Sequence, residues 1–221
     1  MIKQALNLAY KDFLIEAGQK KLLTSLFFLA FVLIFLSSFV ILKNPGVKTE
    51  MAALSIWLVL VYIMFQTLNR SLGAEDEMGC WEALLLCPVA PQAIFLGKLI
   101  YNFSLVVMIE LVVFPFYMLF FALSVRALLI LIPLILASLG FTAVGLLISL
   151  LALHNQGREL LANLISLPLY LPALFLGVAA TIDILHGASL GEAGRSWLLI
   201  GIYDVLFMGI AWLAFGDSIN D

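Results

Sequence analysis

The stretch that decides the fold is residues 51–123, which reads MAALSIWLVLVYIMFQTL (51–68), NRSLGAEDEMGCWEALLLCPVAPQAIFLGK (69–98) and LIYNFSLVVMIELVVFPFYMLFFAL (99–123). Two long apolar runs flank a polar, acidic island. Because lipid offers no partner for backbone polar groups, an apolar run of about 20 residues crosses a bilayer as a helix. The stretch therefore predicts two transmembrane helices, joined by a segment that a soluble partner could reach.

The rest of the chain extends this membrane pattern. Hydrophobic residues make up 64% of the 221 positions and charged residues only 11%, which excludes an ordinary soluble globular domain. Six segments are long and apolar enough to span a bilayer: 22–42, 51–68, 99–123, 127–153, 160–184 and 197–215. We therefore expect an all-α polytopic membrane protein, with residues 1–221 forming a single domain of six transmembrane helices.

The basic residues predict the orientation of these spans. A cytoplasmic N-terminus places the larger group of lysines and arginines inside, namely Lys3, Lys11, Lys20, Lys21, Arg70, Lys98 and Arg158. It leaves the smaller group outside, namely Lys43, Lys48, Arg126 and Arg195. The excess of positive charge inside favours cytoplasmic N- and C-termini. Cys80 and Cys87 would then lie on the reducing side, which argues against a disulfide between them.

Residues 1–21 precede the first span and carry a helical apolar pattern. Apolar side chains recur at steps of three and four at Ile2, Leu6, Ala9, Tyr10, Phe13 and Ala17. Such a pattern is typical of a helix that lies in the plane of the headgroups. The alternative is a plain extension of the first span, although Lys20 and Lys21 interrupt the apolar run.

The acidic island predicts a short cytoplasmic helix. Glu75, Asp76 and Glu77 would supply the negative charge that a helix N-terminus favours, and Pro88 would end the helix. Trp81, Leu84 and Leu85 form an apolar stripe, while Glu82 would face away from it. Pro91 suits the first turn of the next helix. The local pattern leaves two interpretations open: a helix that docks into a soluble partner, or an ordinary interfacial loop helix.

The order Arg70, Glu75, Gly79, Glu82, Leu84, Leu85, Pro88 and Lys98 resembles the stretch after the second span in permease subunits of ABC-2-type transporters. The length, the six spans and the N-terminal segment are most similar to the haem exporter protein B family, the permeases of cytochrome c maturation. One departure is Asn69, where relatives often carry an acidic residue. The resemblance implies that segment 69–98 fits into an ATPase subunit, with Arg70, Glu75, Gly79, Trp81, Glu82, Leu84 and Pro88 as coupling residues.

The resemblance also implies partners and a location. Besides the ABC ATPase, these are a haem-handling membrane protein, a small single-span subunit, a periplasmic haem chaperone and a second permease copy, in the bacterial inner membrane. The complex would couple ATP hydrolysis to haem handling or to release of the haem-loaded chaperone. Two alternatives stay open: an ABC-2 permease for another lipid, drug or glycan, and a membrane assembly or electron-transfer subunit without an ATPase. No nucleic-acid partner is predicted.

The residues argue against catalysis or a cofactor within this chain. The only Gly-Lys pair, Gly97-Lys98, has Gln92 where a P-loop needs glycine and Leu99 where it needs serine or threonine, so ATP is expected only through a partner. His154 and His186 are predicted at opposite membrane faces, which excludes a bis-histidine haem site within one chain. We therefore expect no catalytic residue, no metal ligand and no directly bound cofactor, and haem only through partner proteins.

Two acidic residues are predicted inside the membrane, Glu110 in the third span and Asp204 in the sixth. A charge at the bilayer centre costs upward of about 2.5 kcal/mol, so each should face protein. Glu110 shares a helix face with Phe103, Phe114, Tyr117 and Phe121, and we expect that face to pack inward. It could be a contact that shifts during transport or a static one, for example with Asp204. Gly140, Gly145, Pro168 and Pro172 predict close packing or kinks.

Overall fold

The computed structural model describes residues 1–18, 21–77, 89–152 and 158–217. In these ranges the chain forms α-helices and two short 3-10 helices, Pro45–Val47 and Val125–Ile130, and no strand. The α-helices are α1 (Ile2–Gly18), α2 (Lys21–Lys43), α3 (Lys48–Glu77), α4 (Pro91–Phe120), α5 (Leu131–Ala152), α6 (Arg158–His186) and α7 (Leu190–Asp217). Six of them, α2 to α7, are long and apolar enough to cross a membrane. The predicted all-α, six-span fold is confirmed.

The second span continues well beyond its apolar part. Helix α3 runs on through residues 69–77, because no proline interrupts it and a single glycine, Gly73, costs a helix only about 1 kcal/mol. Glu75, Asp76 and Glu77 therefore lie in the last turn of α3. The prediction that they begin a separate helix was wrong. The end of the second span was predicted from its apolar residues, but the helical hydrogen bonds of α3 continue past the last of them.

Two spans begin earlier than their apolar runs, each for a local reason. Helix α4 begins at Pro91 after an extended Ala90, as predicted, because the missing N–H of a proline is harmless in a first turn. Helix α7 begins at Leu190, and the backbone N–H and hydroxyl of Ser189 donate to the Glu192 carboxylate at 2.8 and 2.9 Å. This serine–glutamate pair satisfies donors at the helix start.

Helix α5 is the centre of the bundle and packs against α3, α4, α6 and α7. Most of its residues are buried, including the polar Ser138 and Thr142. Both hydroxyls donate to carbonyls of their own helix, Ser138 to Ile135 at 2.9 Å and Thr142 to Ser138 at 2.6 Å. The helix therefore satisfies both of these hydroxyls itself and meets its neighbours largely through small and apolar side chains.

Helices α1 and α2 lie at the periphery. Helix α1 packs on α4, and α2 packs on α3 and α4. On α2 the fully buried side chains are Leu26, Ala30 and Ile34. Its opposite face carries exposed phenylalanines at helical spacing: Phe28, Phe31, Phe35 and Phe39. An exposed apolar face of this length suits lipid or another membrane protein.

One end of the bundle is fastened by two basic side chains. The Arg126 guanidinium donates to the carbonyl of Ala188, and the Lys48 ammonium donates to the carbonyl of Ala122 at 3.4 Å. Ala122 lies two residues after the end of α4, in the left-handed region with φ of 46°. These bonds place the linkers before α3, α5 and α7 at the same end, as expected for spans that alternate in direction.

Candidate functional site

The predicted coupling segment, 69–98, is described at its two ends. Arg70 and Glu75 lie on the extension of α3, and Lys98 lies in α4. Gly79, Trp81, Glu82, Leu84 and Pro88 lie outside the described residues, as do Cys80 and Cys87. The coupling role of all these residues, and the short helix expected around Glu82, stay predictions.

The first end of the segment is fixed to the core by Leu68. This side chain is 3% exposed and lies directly against Gly145 of α5, where an added Cβ would overlap it. The same Cβ would lie 2.8 Å from the hydroxyl of Tyr170 on α6. The absence of a side chain at Gly145 therefore lets α3, α5 and α6 meet where the segment begins, which confirms the close packing predicted for this glycine.

The second end is fixed by Phe95. Its ring is fully buried, with centroids 5.1 Å from Phe215 and 6.4 Å from Trp212 of α7. On the other side of α4, Gly97 faces α1, and a Cβ there would lie 2.8 Å from Cβ of Leu8. The start of α4 is thus held between α1 and the end of α7, so both helices that border the segment are packed into the bundle.

Three aromatic side chains join α5, α6 and α7. The rings of Phe141 and Tyr170 stack with centroids 4.3 Å apart, and Tyr203 meets Phe141 edge-on at 6.4 Å. The Tyr170 hydroxyl donates to the carbonyl of Phe141 at 3.1 Å, and the Tyr203 hydroxyl donates to that of Leu169 at 3.1 Å. Sequence reasoning missed this cluster, since tyrosines inside apolar runs read as ordinary lipid-compatible residues.

A second missed contact joins α3 to α6. The Trp57 ring is 1% exposed, and its indole N–H donates to the Thr181 hydroxyl at 2.9 Å. The edge of the ring lies directly against Gly177, where an added Cβ would overlap it. The Trp57 ring therefore packs against α6 at a position where only glycine leaves room for it. The sequence signal that could have indicated this contact is the pair of small residues four positions apart in one span, Gly177 and Thr181.

The inward packing of the Glu110 face is confirmed for most of its residues. Glu110, Phe114, Tyr117 and Phe121 are buried, whereas Phe103 is half-buried. The rings of Phe114 and Phe121 lie 5.6 and 5.1 Å from Tyr117. Neither carboxyl oxygen of Glu110 has a hydrogen-bond partner among the described residues, so the static contact with Asp204 considered from the sequence is not formed as a hydrogen bond.

Asp204, the second acid predicted inside the membrane, is also buried, at 3% exposed. Its carboxyl lies against the backbone of α5 at Gly140, where an added Cβ would overlap it and would lie 2.8 Å from the Tyr203 ring. The predicted role of Gly140 in close packing is thus confirmed. The glycine admits an acidic side chain that would otherwise face lipid at high cost.

One of the two histidines, His186, lies in the described part of the chain, as does an apolar cavity. His186 ends α6, His154 lies outside the described residues, and no group of three His, Cys, Asp or Glu side chains occurs within the described ranges. An apolar cavity of about 500 Å³ lies between α2 and α4, lined by Thr24, Phe27, Phe28, Phe31, Ile34, Val112, Val113 and Phe116. None of these side chains can serve as an axial ligand of haem iron.

The N-terminal helix has a buried face that the sequence did not predict. Of the expected apolar stripe, Ile2, Leu6 and Tyr10 are exposed, whereas Ala9 is buried. The buried face of α1 consists of Ala5, Ala9, Asp12 and Glu16, which recur at helical spacing and lie against α4. Sequence reasoning missed both acids, because acidic residues are ordinarily assigned to the solvated face of a peripheral helix. The position of α1 in the headgroup plane stays a prediction.

Comparison with protein families relates this architecture to a known one. A family model described as CcmB protein matches residues 3–220. The match covers α1 from Lys3 onward and all of α2 to α7, including both borders of segment 69–98. No curated protein sequence matched the chain. The chain therefore belongs to the CcmB family, haem exporter protein B, the permease component of an ABC-type exporter in cytochrome c maturation.

Proposed function

We propose that this permease subunit couples ATP hydrolysis by a separate ABC ATPase to haem handling, through segment 69–98. The observation that carries the proposal is that the segment joins two helices anchored in the core, at Leu68 and at Phe95. Because packed interiors transmit strain, a push on this segment would move α3 and α4 themselves. A loosely attached loop would absorb the same push.

The lengths of the two bordering helices support an exposed segment. Helices α3 and α4 each have 30 residues, which corresponds to about 45 Å at 1.5 Å per residue. The hydrocarbon core is only about 30 Å thick. The surplus at the end of α3 and the start of α4 would lie on the segment side, within reach of a soluble ATPase.

Three of the coupling residues have a proposed part. Glu82 would face the groove of the ATPase, while Trp81 and Leu84 would hold the short helix against the permease and the membrane surface. Arg70, Glu75, Gly79 and Pro88 complete the coupling residues that the family resemblance supplies. The sequence has no P-loop around Gly97-Lys98, so ATP is bound and hydrolysed by the partner chain.

Further partners follow from the same proposal. Two permease copies would match a pair of ATPase subunits, together with a haem-handling membrane protein and a small single-span subunit. ATP hydrolysis would move haem or release a haem-loaded periplasmic chaperone. Haem would be held by these partners rather than by this chain, which would sit in the bacterial inner membrane.

The proposed orientation is tested by reporter fusions. Fusions at Ser71, Arg126 and Asp221 should report cytoplasm, periplasm and cytoplasm, because the excess of lysine and arginine lies near the first span and in segment 69–98. An outward signal at Ser71 would refute docking to a cytoplasmic ATPase.

The coupling role is tested by Glu82→Lys. The variant should insert normally but lose most ATPase co-purification and cytochrome c maturation, because it reverses a charge that meets the partner. Glu50→Lys is the matched control, since Glu50 is an exposed glutamate in the first turn of α3, at the end of that helix far from segment 69–98. Wild-type ATPase yield, ATP turnover and maturation with Glu82→Lys would refute the proposal and favour a subunit that works without an ATPase.

Trp81→Ala separates docking from general folding. Removing a large apolar anchor should lower the amount of folded protein in the membrane, in contrast to the normal insertion expected for Glu82→Lys. Membrane abundance is measured by immunoblot of washed membranes. Equal abundance of the Trp81→Ala variant and wild type would contradict the placement of Trp81 against the permease.

A further inference from the structure

A buried ion pair joins α1 to the start of α4. The Lys98 ammonium lies 2.9 Å from the Asp12 carboxylate, and the two side chains are only 3% and 8% exposed. A lysine near the end of a span ordinarily extends its ammonium toward water. Here the chain of Lys98 turns inward beneath α1, so its position is set by another helix.

The approach of the two helices is built for this contact. Ala5 and Ala9 put small side chains on the buried face of α1. On α4, Gly97 adjoins Lys98, and a Cβ at Gly97 would lie 2.8 Å from Cβ of Leu8 and 3.0 Å from the carbonyl oxygen of Ala5. The backbones therefore meet closely, which excludes water and brings Asp12 within reach of Lys98.

A second layer of contacts extends the joint along both helices. The Tyr101 hydroxyl lies 3.5 Å from the Glu16 carboxylate, and the Tyr101 ring meets Phe13 edge-on at 5.1 Å. The Asn102 amide donates to the Lys98 carbonyl at 2.8 Å. Glu16 follows Asp12 by one helical turn, as Tyr101 and Asn102 follow Lys98, so the polar contacts form one continuous strip.

Stability alone does not account for such a pair. Taking both charges out of water offsets much of their attraction, and apolar side chains of similar volume often serve as well or better. What a buried pair does supply is one defined register between two helices. If one helix slid along the other, a buried charge would be left without its partner. The register matters here because Lys98 closes segment 69–98 and lies two turns into the helix that follows it.

We propose that Asp12 and Lys98 are positioning residues that fasten α1 to the first turns of α4, so that both move as one body when the ATPase acts. This inference rests on the proposed coupling role of segment 69–98. Helix α1 also exposes Ile2, Leu6 and Tyr10, an apolar flank that suits the lipid boundary. Movement at the segment would thus be carried to a helix at the membrane surface.

The test removes both charges together, so that neither is stranded. Asp12→Asn with Lys98→Met is compared with Lys3→Gln, which changes an exposed lysine of the same helix. In the complete complex we expect unchanged membrane abundance and retained ATP turnover. Cytochrome c maturation per ATP should fall about fivefold or more, the lower end of typical coupling between sites. The reversed pair, Asp12→Lys with Lys98→Asp, should restore maturation at least in part.

Each outcome decides the question. Full maturation by the charge-free variant would overturn the proposal, and so would its loss from the membrane, which would show a purely structural pair. Failure of the reversed pair at normal abundance would also overturn it. Glu82→Lys is measured in parallel: if it too leaves coupling intact, the proposed function itself fails. If it uncouples while the charge-free variant does not, only the positioning role fails.

Discussion

The packing of Trp57 against Gly177 predicts how much stability the protein loses when Gly177 is replaced by alanine. A Cβ at Gly177 would overlap the edge of the Trp57 ring, and even Cζ3 of that ring would be only 2.6 Å away. The ring cannot simply turn away, because its N–H is bonded to Thr181 at 2.9 Å. Gly177→Ala should therefore cost about 1–3 kcal/mol, the usual range for overpacking a core.

The matched control is Gly209→Ala, since Gly209 also lies within a spanning helix but has open space around its Cβ position. There only the helix propensity changes, which should stabilise the protein by about 0.5–1 kcal/mol. The two glycine variants should thus differ by about 1.5–4 kcal/mol, or roughly 3–16 °C in apparent melting temperature at about 2–4 °C per kcal/mol.

The assay heats the detergent-purified protein through a temperature series and measures the monodisperse fraction by size-exclusion chromatography. Trp57→Phe completes a double-mutant cycle, because the smaller ring withdraws from Gly177 while losing the bond to Thr181. Gly177→Ala should cost less in that background, with a coupling energy of about 1–2 kcal/mol. The packing argument would be refuted if the melting temperature of Gly177→Ala lay within about 2 °C of that of the Gly209→Ala control. Strict additivity of the two substitutions in the cycle would also refute it.

Three further outcomes are expected. Glu110→Leu should keep membrane abundance at or above wild type, because no hydrogen bond to the carboxyl is lost among the described residues, while cytochrome c maturation should fall; full maturation would leave Glu110 without a role. Gly140→Ala should lower the melting temperature relative to the Gly209→Ala control, since the new Cβ would displace Asp204. Equal melting temperatures of the two variants would contradict that contact. Tyr170→Phe should cost only about 0.6 kcal/mol, the mean value of a hydrogen bond between membrane helices, and a loss several times larger would mean that its bond to the Phe141 carbonyl does more than join two helices.

The six spans could be predicted because lipid imposes one requirement on every spanning segment, a helix with an apolar surface. The ends of the spans could not be read from hydropathy. Helix α3 continues through polar residues to Glu77, and α7 begins at a serine–glutamate cap before its apolar run. Helical hydrogen bonding extends beyond the membrane wherever nothing stops it.

The candidate site was predicted in part. The inward face of Glu110 followed from the cost of a charge in lipid, which holds for any arrangement of the helices. The pairing of Lys98 with Asp12 did not follow, because it depends on which two helices meet and at what distance. The same is true of Trp57 and Gly177. A single sequence records which residues are unusual, but not which of them are neighbours.

The hydroxyls of α5 have a consequence for how the protein is made. Ser138 and Thr142 bond to carbonyls of their own helix, so they need no partner from α6 or α7, which are synthesised later. The helix that will become the centre of the bundle can therefore leave the translocon and rest in lipid with these two hydroxyls already satisfied. Biogenesis can then proceed in chain order, with the last two spans folding around a helix that is already in place.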